Sequence, residues 1–102
     1  MKVYNKLVRD KIPEIISLNG DTCKTKILSD EEYISALNTK LAEELNEYLE
    51  SNNIEELADL EEVLRAILDF NKISYSDFEK IRTAKAQKRG SFKNKLFLEY
   101  TN

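Results

Sequence analysis

Two long stretches of this sequence repeat apolar residues at the spacing of an α-helix, and only Ser-Asn-Asn at residues 51–53 separates them. The first stretch, residues 29–51, has the apolar positions Ile34, Leu37, Leu41, Leu45 and Tyr48. The second, residues 54–73, has the apolar positions Ile54, Leu57, Leu60, Leu64, Ile67 and Leu68. Helices joined by so short a turn lie antiparallel. We therefore expect an α-helical hairpin at the centre of the fold.

Signals for helix ends support this interpretation. Ser29 is followed three residues later by Glu32, the capping-box pattern that begins a helix. Pro13 suits the first turn of a shorter N-terminal helix, which Asn19 and Gly20 end. A last helix begins at Ser74 or Ser76 and stops at Gly90, with Phe78 and Ile81 directed inward. The sequence thus predicts four helices.

The whole chain reads as one domain, residues 1–102, of the all-α class with an antiparallel helical bundle. Only two Gly and one Pro interrupt it, and 41% of the residues are hydrophobic. Short extended segments near the ends are allowed by the alternating patterns at residues 22–28 and 94–100. No apolar run approaches the roughly 20 residues that a bilayer requires, and no signal peptide is evident. We expect a cytoplasmic protein with no membrane partner.

Composition excludes several kinds of chemistry. The chain has no His, so it lacks the base of Ser-His-Asp and Cys-His catalysis. Its single cysteine, Cys23, forms neither an intrachain disulfide nor a thiolate zinc site. A net charge of −3 gives no overall attraction to a nucleic acid polymer. Any reaction must depend on carboxylates, Lys, Tyr or a metal ion.

Charge is segregated along the chain. Residues 30–62 hold 12 acidic side chains against Lys40 alone, whereas residues 80–95 hold seven Lys or Arg and no acid. A solvated helix normally interleaves the two signs, because ion pairs between residues i and i+4 stabilise it. Solubility alone therefore does not explain why acidic and basic residues are segregated along this chain.

Four of the acids are expected to converge. Glu44 lies at the edge of the first apolar stripe with Glu47 beside it, and on the second helix Glu56 lies within the stripe with Asp59 at its margin. Antiparallel packing brings the two pairs together. A site of carboxylates without His suits Mg²⁺, with Mn²⁺ an alternative, and does not suit zinc. Two structural alternatives remain: solvated faces of Glu-rich helices, and a lattice of ion pairs between subunits.

The residues EELNE at 43–47 and EELAD at 55–59 resemble the E-E-x-x-E and E-x-x-D motifs of the MazG-like all-α nucleoside triphosphate pyrophosphohydrolases. The segments YNKLVRDKIPEII, KILSDEEY, KRGSF and FLEY are similar to small stand-alone members described as phosphoribosyl-ATP pyrophosphohydrolase-like. The resemblance covers nearly the whole chain. It implies a helical homodimer or homotetramer that uses Mg²⁺ to cleave a nucleotide between its α and β phosphates.

Carried over by position, the resemblance makes Glu44, Glu47, Glu56 and Asp59 the metal-binding residues. Glu56 and Glu44 are the candidate catalytic carboxylates, and Glu56 is our first choice as base because the most buried acid should have the most raised pKa. The candidates for binding the substrate phosphates are Arg9, Lys85, Lys88, Arg89 and Lys93, and further candidates near Arg9 are Lys6 and Lys11. The segment around KRGSF has a second interpretation, in which Phe92 and Phe97 close the fold by packing on the core.

The most direct functional prediction is a house-cleaning pyrophosphohydrolase that converts a nucleoside triphosphate to the monophosphate and pyrophosphate. One alternative is the phosphoribosyl-ATP pyrophosphohydrolase of histidine biosynthesis. Another is a helical dimerisation module without activity, in which the acidic cluster binds the basic segment of a partner; this would give salt-sensitive association and no requirement for Mg²⁺.

Overall fold

A computed structural model describes all residues, 1–102, as four α-helices and no strand. The helices are α1 (Ile12–Leu18), α2 (Asp30–Ser51), α3 (Ile54–Phe70) and α4 (Tyr75–Arg89). The all-α prediction is confirmed, and the segments 22–28 and 94–100, which the alternation allowed as extended segments, pair into no strand. None of the four helices combines the length and the apolar character needed to cross a bilayer.

The two long helices begin and end at the residues that the sequence marks. The Ser29 side chain accepts a hydrogen bond from the Glu32 amide at 3.2 Å, and Glu32 Oε1 accepts one from the Ser29 amide at 3.1 Å. Asn52 ends α2 in the left-handed conformation, with φ of 54°, a region that Asn tolerates better than most residues. Asn53 then caps α3 by accepting from the Glu55 amide at 2.9 Å. Two adjacent asparagines therefore make the whole turn.

The last helix is attached only near its start. Ser74, and not Ser76, is its N-cap, and Gly90 follows its last residue. The Tyr75 hydroxyl donates to Glu61 Oε2 at 3.0 Å, and the Arg65 guanidinium lies 3.8 Å from the centre of the Tyr75 ring. These contacts join the first turn of α4 to α3. Beyond it Ile81, predicted to point inward, is 55% exposed, because no helix lies opposite that face.

The α2–α3 hairpin contains the core. Leu37 of α2 and Val63 of α3 are the buried apolar residues of the chain. Near the open end of the hairpin, the Tyr33 and Phe70 rings meet edge to face with centroids 6.0 Å apart. The α1 helix packs against no other helix. The hairpin is thus the one part of the chain with tightly packed side chains.

The single chain leaves much apolar surface in water. Its accessible surface is 9552 Å², whereas a folded monomer of this mass exposes about 5,900 Å². Its radius of gyration is 18.2 Å, against about 13 Å for a compact domain of 100 residues. The predicted stripe residue Ile54 is 73% exposed, and Phe92 and Phe97 are 97% and 90% exposed. The interpretation that these two Phe residues pack on the core of their own chain is therefore wrong.

We expect Ser29→Ala to lower the free energy of unfolding by about 1 kcal/mol, because α2 loses the side-chain half of its capping box. In a domain of this size that loss lowers the melting temperature by roughly 4–8 °C. Thermal unfolding followed by circular dichroism measures the change. Ser91→Ala is the control, because Ser91 is exposed and lies outside every helix. Equal melting curves for the two variants would contradict the stabilising role of the cap.

Candidate metal centre

Carboxylates from both helices of the hairpin meet at one place. Glu44 of α2 and Glu56 and Asp59 of α3 each offer an oxygen, and these oxygens lie within 4.8 Å of one another. Antiparallel packing of the two helices places Glu44 of α2 opposite the first turns of α3. The structure therefore brings together three of the four acids predicted as metal ligands, from two helices.

The fourth predicted acid, Glu47, joins the group through α2. Oxygens of Glu43, Glu44 and Glu47 also lie within 4.8 Å of one another. Residues three apart on a helix are neighbours on its surface, which explains why Glu47 approaches Glu44. Glu44 belongs to both groups and stands at the centre of the cluster. We call Glu44, Glu47, Glu56 and Asp59 the carboxylate cluster.

The buried member of the cluster is Glu44. Its side chain is 8% exposed, and its Oε2 is a buried oxygen without a hydrogen-bond partner. Glu56, predicted to be the most buried acid, is only partly buried. The prediction was wrong because Glu56 lies in the first turn of α3, beside the exposed turn of the hairpin, whereas Glu44 lies deeper in the contact between the helices. A buried carboxylate oxygen without a partner costs several kcal/mol.

The neighbouring acids Glu43 and Glu44 have pKa values shifted in opposite directions. Burial, followed by the close approach of the Glu47 carboxylate and repulsion from it, raises the pKa of Glu44, and Lys40 opposes this shift. The hydrogen bond from Lys6 lowers the pKa of Glu43. Two adjacent glutamates thus differ in basicity, with Glu44 the stronger base.

Two lysines lie beside the cluster, of which Lys6 was a candidate phosphate ligand and Lys40 was not predicted as a site residue. Lys40 Nζ lies 3.7 Å from Glu43 Oε1 and 3.5 Å from Glu44 Oε1. Lys6 Nζ donates to Glu43 Oε1 at 3.0 Å. The spacing of Lys40 from Glu43 and Glu44, three and four residues along one helix, is the signal that predicts its contacts. Neither lysine reaches Glu44 Oε2, so the charge of the cluster is only partly balanced.

Arg9 is the predicted phosphate-binding residue that the fold places at the cluster. Its Nη2 donates to Asp59 Oδ1 at 2.6 Å. With Lys6 held by α2 and Arg9 held by α3, the N-terminal segment crosses the hairpin. Beside this crossing lies an open groove of about 340 Å³, whose lining includes Arg9, Tyr33, Lys40, Glu44, Asp59 and Arg65. The groove leads from solvent to the buried carboxylate.

Lys11, at the start of α1, forms no ion pair and does not line the groove. The four predicted phosphate ligands from the C-terminal part of the chain are not brought to the cluster within one chain either. Lys85, Lys88 and Arg89 lie on the far turns of α4, and Lys93 follows that helix. None of them forms an ion pair, and none lines the groove; the pairs within α4 join Lys80 to Asp77 and Arg82 to Glu79. Their separation follows from the way α4 leaves the hairpin after its first turn.

Comparison with known proteins adds little to this geometry. No family model matches the sequence. An uncharacterized protein of Mycolicibacterium smegmatis is 54% identical over 41 residues, which amount to 40% of this chain and 42% of that protein. No solved structure matches. The chain therefore matches less than half the length of this relative, and its resemblance to the MazG-like enzymes stays a prediction from the motifs.

Proposed function

We propose that the protein is a metal-dependent hydrolase that cleaves nucleoside triphosphates between the α and β phosphates and releases the monophosphate and pyrophosphate. The observation that carries the proposal is Glu44, a buried carboxylate whose Oε2 lacks a partner and which has Glu47, Glu56 and Asp59 around it. Such an arrangement is unfavourable in a purely structural cluster, because like charges repel and the buried oxygen is unsatisfied. A bound cation removes both costs.

The donor set suits Mg²⁺, and Mn²⁺ is the alternative. All four side chains offer carboxylate oxygens, the ligands that these hard ions prefer, and no thiolate or imidazole is present to select zinc. Glu44, Glu47, Glu56 and Asp59 are the residues that would hold the ion. When bound there, Mg²⁺ would neutralise phosphate charge and lower the pKa of a coordinated water.

The side chains of the protein then have separate roles. Glu44 is our candidate base, because the direction of its pKa shift makes it the better proton acceptor for the attacking water, and Glu56 is the alternative. Lys40 contacts Glu43 and Glu44 and orients them from the side. Arg9 is the first phosphate ligand, since a guanidinium donates two parallel hydrogen bonds to one phosphate. Its contact with Asp59 uses Nη2 alone, so other N–H groups of the guanidinium remain for a phosphate.

The proposal includes self-association as a homodimer or homotetramer, and a cytoplasmic role in removing unwanted nucleotides. The excess of exposed surface over that of a compact monomer supports self-association. Hydrolysis of phosphoribosyl-ATP is the alternative reaction at the same site. A panel of nucleoside triphosphates and phosphoribosyl-ATP, with pyrophosphate as the detected product and a chelator as the control, identifies the substrate.

The first test concerns the metal. Mg²⁺ should raise the melting temperature of the wild type, because a ligand of the native state stabilises it by about 2.7 kcal/mol at 100 times its Kd. Glu56→Gln should reduce this shift and abolish turnover. Glu50→Gln is the matched control, since Glu50 is exposed on the same hairpin. Absence of any Mg²⁺-dependent shift, together with salt-sensitive association, would instead favour the dimerisation module.

The second test uses pH without metal. We expect Glu44→Gln to unfold at a higher temperature than the wild type at neutral pH, because the variant buries no charge. A folded pKa above the ordinary glutamate value of 4.5 means that wild-type stability falls as pH rises from that value through the raised pKa. The advantage of Gln should therefore vanish below pH 4.5 and be complete at neutral pH. Melting curves across this range, with chelator present, measure it.

The charged groups around Glu44 in that experiment come from three parts of the chain: Glu43, Glu47 and Lys40 on α2, Glu56 and Asp59 on α3, and Lys6 and Arg9 in the N-terminal segment. Glu50→Gln is again the control and should follow the wild type at every pH. A difference between Glu44→Gln and the wild type that does not depend on pH would contradict the buried charge.

The third test concerns Arg9. Arg9→Ala should raise KM for the nucleotide by about tenfold or more, because a charge-assisted hydrogen bond contributes roughly 1.5–3 kcal/mol. The same variant should bind Mg²⁺ more tightly, since Asp59 no longer pairs with Arg9. Steady-state kinetics and isothermal titration calorimetry with Mg²⁺ measure the two effects. Lys24→Ala is the control, because Lys24 is exposed, forms no ion pair and is not a candidate phosphate ligand. An unchanged KM in Arg9→Ala would remove Arg9 from the site.

A further inference from the structure

We propose that the C-terminal segment, residues 91–102, docks on the hairpin tip of a second copy of this chain. The hairpin tip comprises residues 45–57, the end of α2, the asparagine turn and the start of α3. The proposal goes beyond nucleotide hydrolysis, and of the proposed function it rests only on self-association. It assigns the contact surfaces, which self-association alone does not.

The C-terminal segment is apolar and uncovered. Five of its side chains are at least 76% exposed, namely Phe92, Leu96, Phe97, Leu98 and Tyr100. Each aromatic side chain buries about 150–250 Å² when covered, so the three aromatics together account for roughly 450–750 Å². One partner of a standard interface contributes about 800 Å². The segment thus carries nearly the area that one half of a stable interface needs.

The same chain does not cover this segment. The α4 helix packs against α3 alone, through Tyr75 in its first turn, and the remaining turns carry the C-terminal segment away from the hairpin. The longest dimension of the chain is 62 Å, against 32 and 24 Å for the other two. An elongated monomer with an apolar end is the arrangement expected of a protomer whose end packs on another molecule.

The hairpin tip offers the complementary surface. Leu45 and Leu49 precede the turn and are 44% and 61% exposed, and Ile54 and Leu57 follow it and are 73% and 37% exposed. Residues four apart on α2 and three apart on α3 share a face of their helix. Because the turn is only two residues long, the two pairs occupy the same end of the hairpin. This end of the molecule therefore presents aliphatic side chains with no cover.

Charge favours the same pairing. The nine carboxylates of residues 42–62 have no Lys or Arg among them, and Lys85, Lys88, Arg89, Lys93 and Lys95 have no ion pair within the chain. Three of these five cations lie in the last turns of α4 and two in the C-terminal segment, so the basic surface runs from the end of α4 into the segment. This basic surface and the acidic hairpin tip attract each other, and each repels its own kind.

The partner that binds these surfaces is a second copy of this chain, because the chain itself carries both of them. Each chain carries one C-terminal segment and one hairpin tip, so a two-fold arrangement makes both contacts at once. The two contacts together reach the range of about 2,000 Å² and above that characterises obligate homodimers. The roughly 3,600 Å² by which the chain exceeds the surface of a compact monomer is sufficient for such an interface.

Disulfide trapping between chains of different mass tests the pairing directly. In a Cys23→Ser background, one chain carries Leu49→Cys and the other, lengthened by a tag, carries Phe97→Cys. Oxidation of the mixture should give a covalent heterodimer. The control pairs Phe97→Cys with Leu18→Cys, because Leu18 is 79% exposed on α1 and lies outside the proposed contact. Equal trapping in the two mixtures, or an internal disulfide in a dilute chain that carries both Leu49→Cys and Phe97→Cys, would overturn the proposal.

Sedimentation equilibrium gives the second measurement. The double variant Phe92→Ser and Phe97→Ser should dissociate at a concentration at least tenfold higher than the wild type does, with its helical circular dichroism retained. Leu18→Ser is the control and should assemble as the wild type does. Unchanged assembly in the double variant would overturn the docking.

The outcomes separate this inference from the proposed function. A wild type that stays monomeric at micromolar concentration would overturn both the docking and the proposed self-association. A wild type that assembles through the C-terminal segment but neither binds Mg²⁺ nor hydrolyses any nucleotide would support the docking and overturn the hydrolase.

Discussion

The packing of α2 against α3 is the only extensive contact between helices in this chain, and the remaining features depend on it. Leu37 and Val63 are buried between the two helices, and so is Glu44. The same hydrophobic contact that stabilises the hairpin therefore removes a carboxylate from water. A charge held by packing in this way is a local source of instability until a cation or a proton reaches it.

The surroundings of Glu44 explain why a cation is the better partner. Oxygens of Glu56 and Asp59 lie within 4.8 Å of one another and of Glu44, and Glu47 approaches Glu44 in the same way from α2, whereas Lys40 reaches only one oxygen of Glu44. Arg9 neutralises Asp59 at the edge of the cluster. The cations of the chain therefore pair with acids at the edge of the carboxylate cluster, whereas Glu44 Oε2 at its centre has no partner. This division is the physical basis for proposing a metal-dependent reaction in preference to a purely structural salt-bridge cluster.

Charge segregation also bears on assembly. The basic residues from Lys85 to Lys95 form no ion pair in their own chain, and the acids of the hairpin pair with few cations, which are Lys40, Arg65 and residues that precede α2. Two uncompensated surfaces of opposite sign on one molecule favour contacts between molecules. In our proposals the carboxylate cluster binds a metal ion and the C-terminal segment contacts a second copy, and the two sites adjoin because Glu47 and Glu56 of the cluster lie within the hairpin tip.

Local signals were sufficient to predict the helices. The capping box at Ser29, the asparagine turn and Gly90 predicted where helices begin and end, because capping depends on side chains and backbone amides within a few residues. The same spacing argument predicted that Glu44, Glu47, Glu56 and Asp59 would converge, since an antiparallel hairpin with a short turn leaves little freedom in register.

The sequence by itself therefore determined the helical elements, the hairpin and the members of the carboxylate cluster, all of which follow from periodicity and from contacts close along the chain. Only the tertiary structure decided that Glu44 and not Glu56 is the buried acid, because burial depends on the depth of each residue in the contact between helices. It also decided that Arg9 reaches Asp59, fifty residues along the chain. The angular position of a residue on its own helix predicts neither the burial of Glu44 nor the contact of Arg9 with Asp59, because both depend on which other segment packs against that helix.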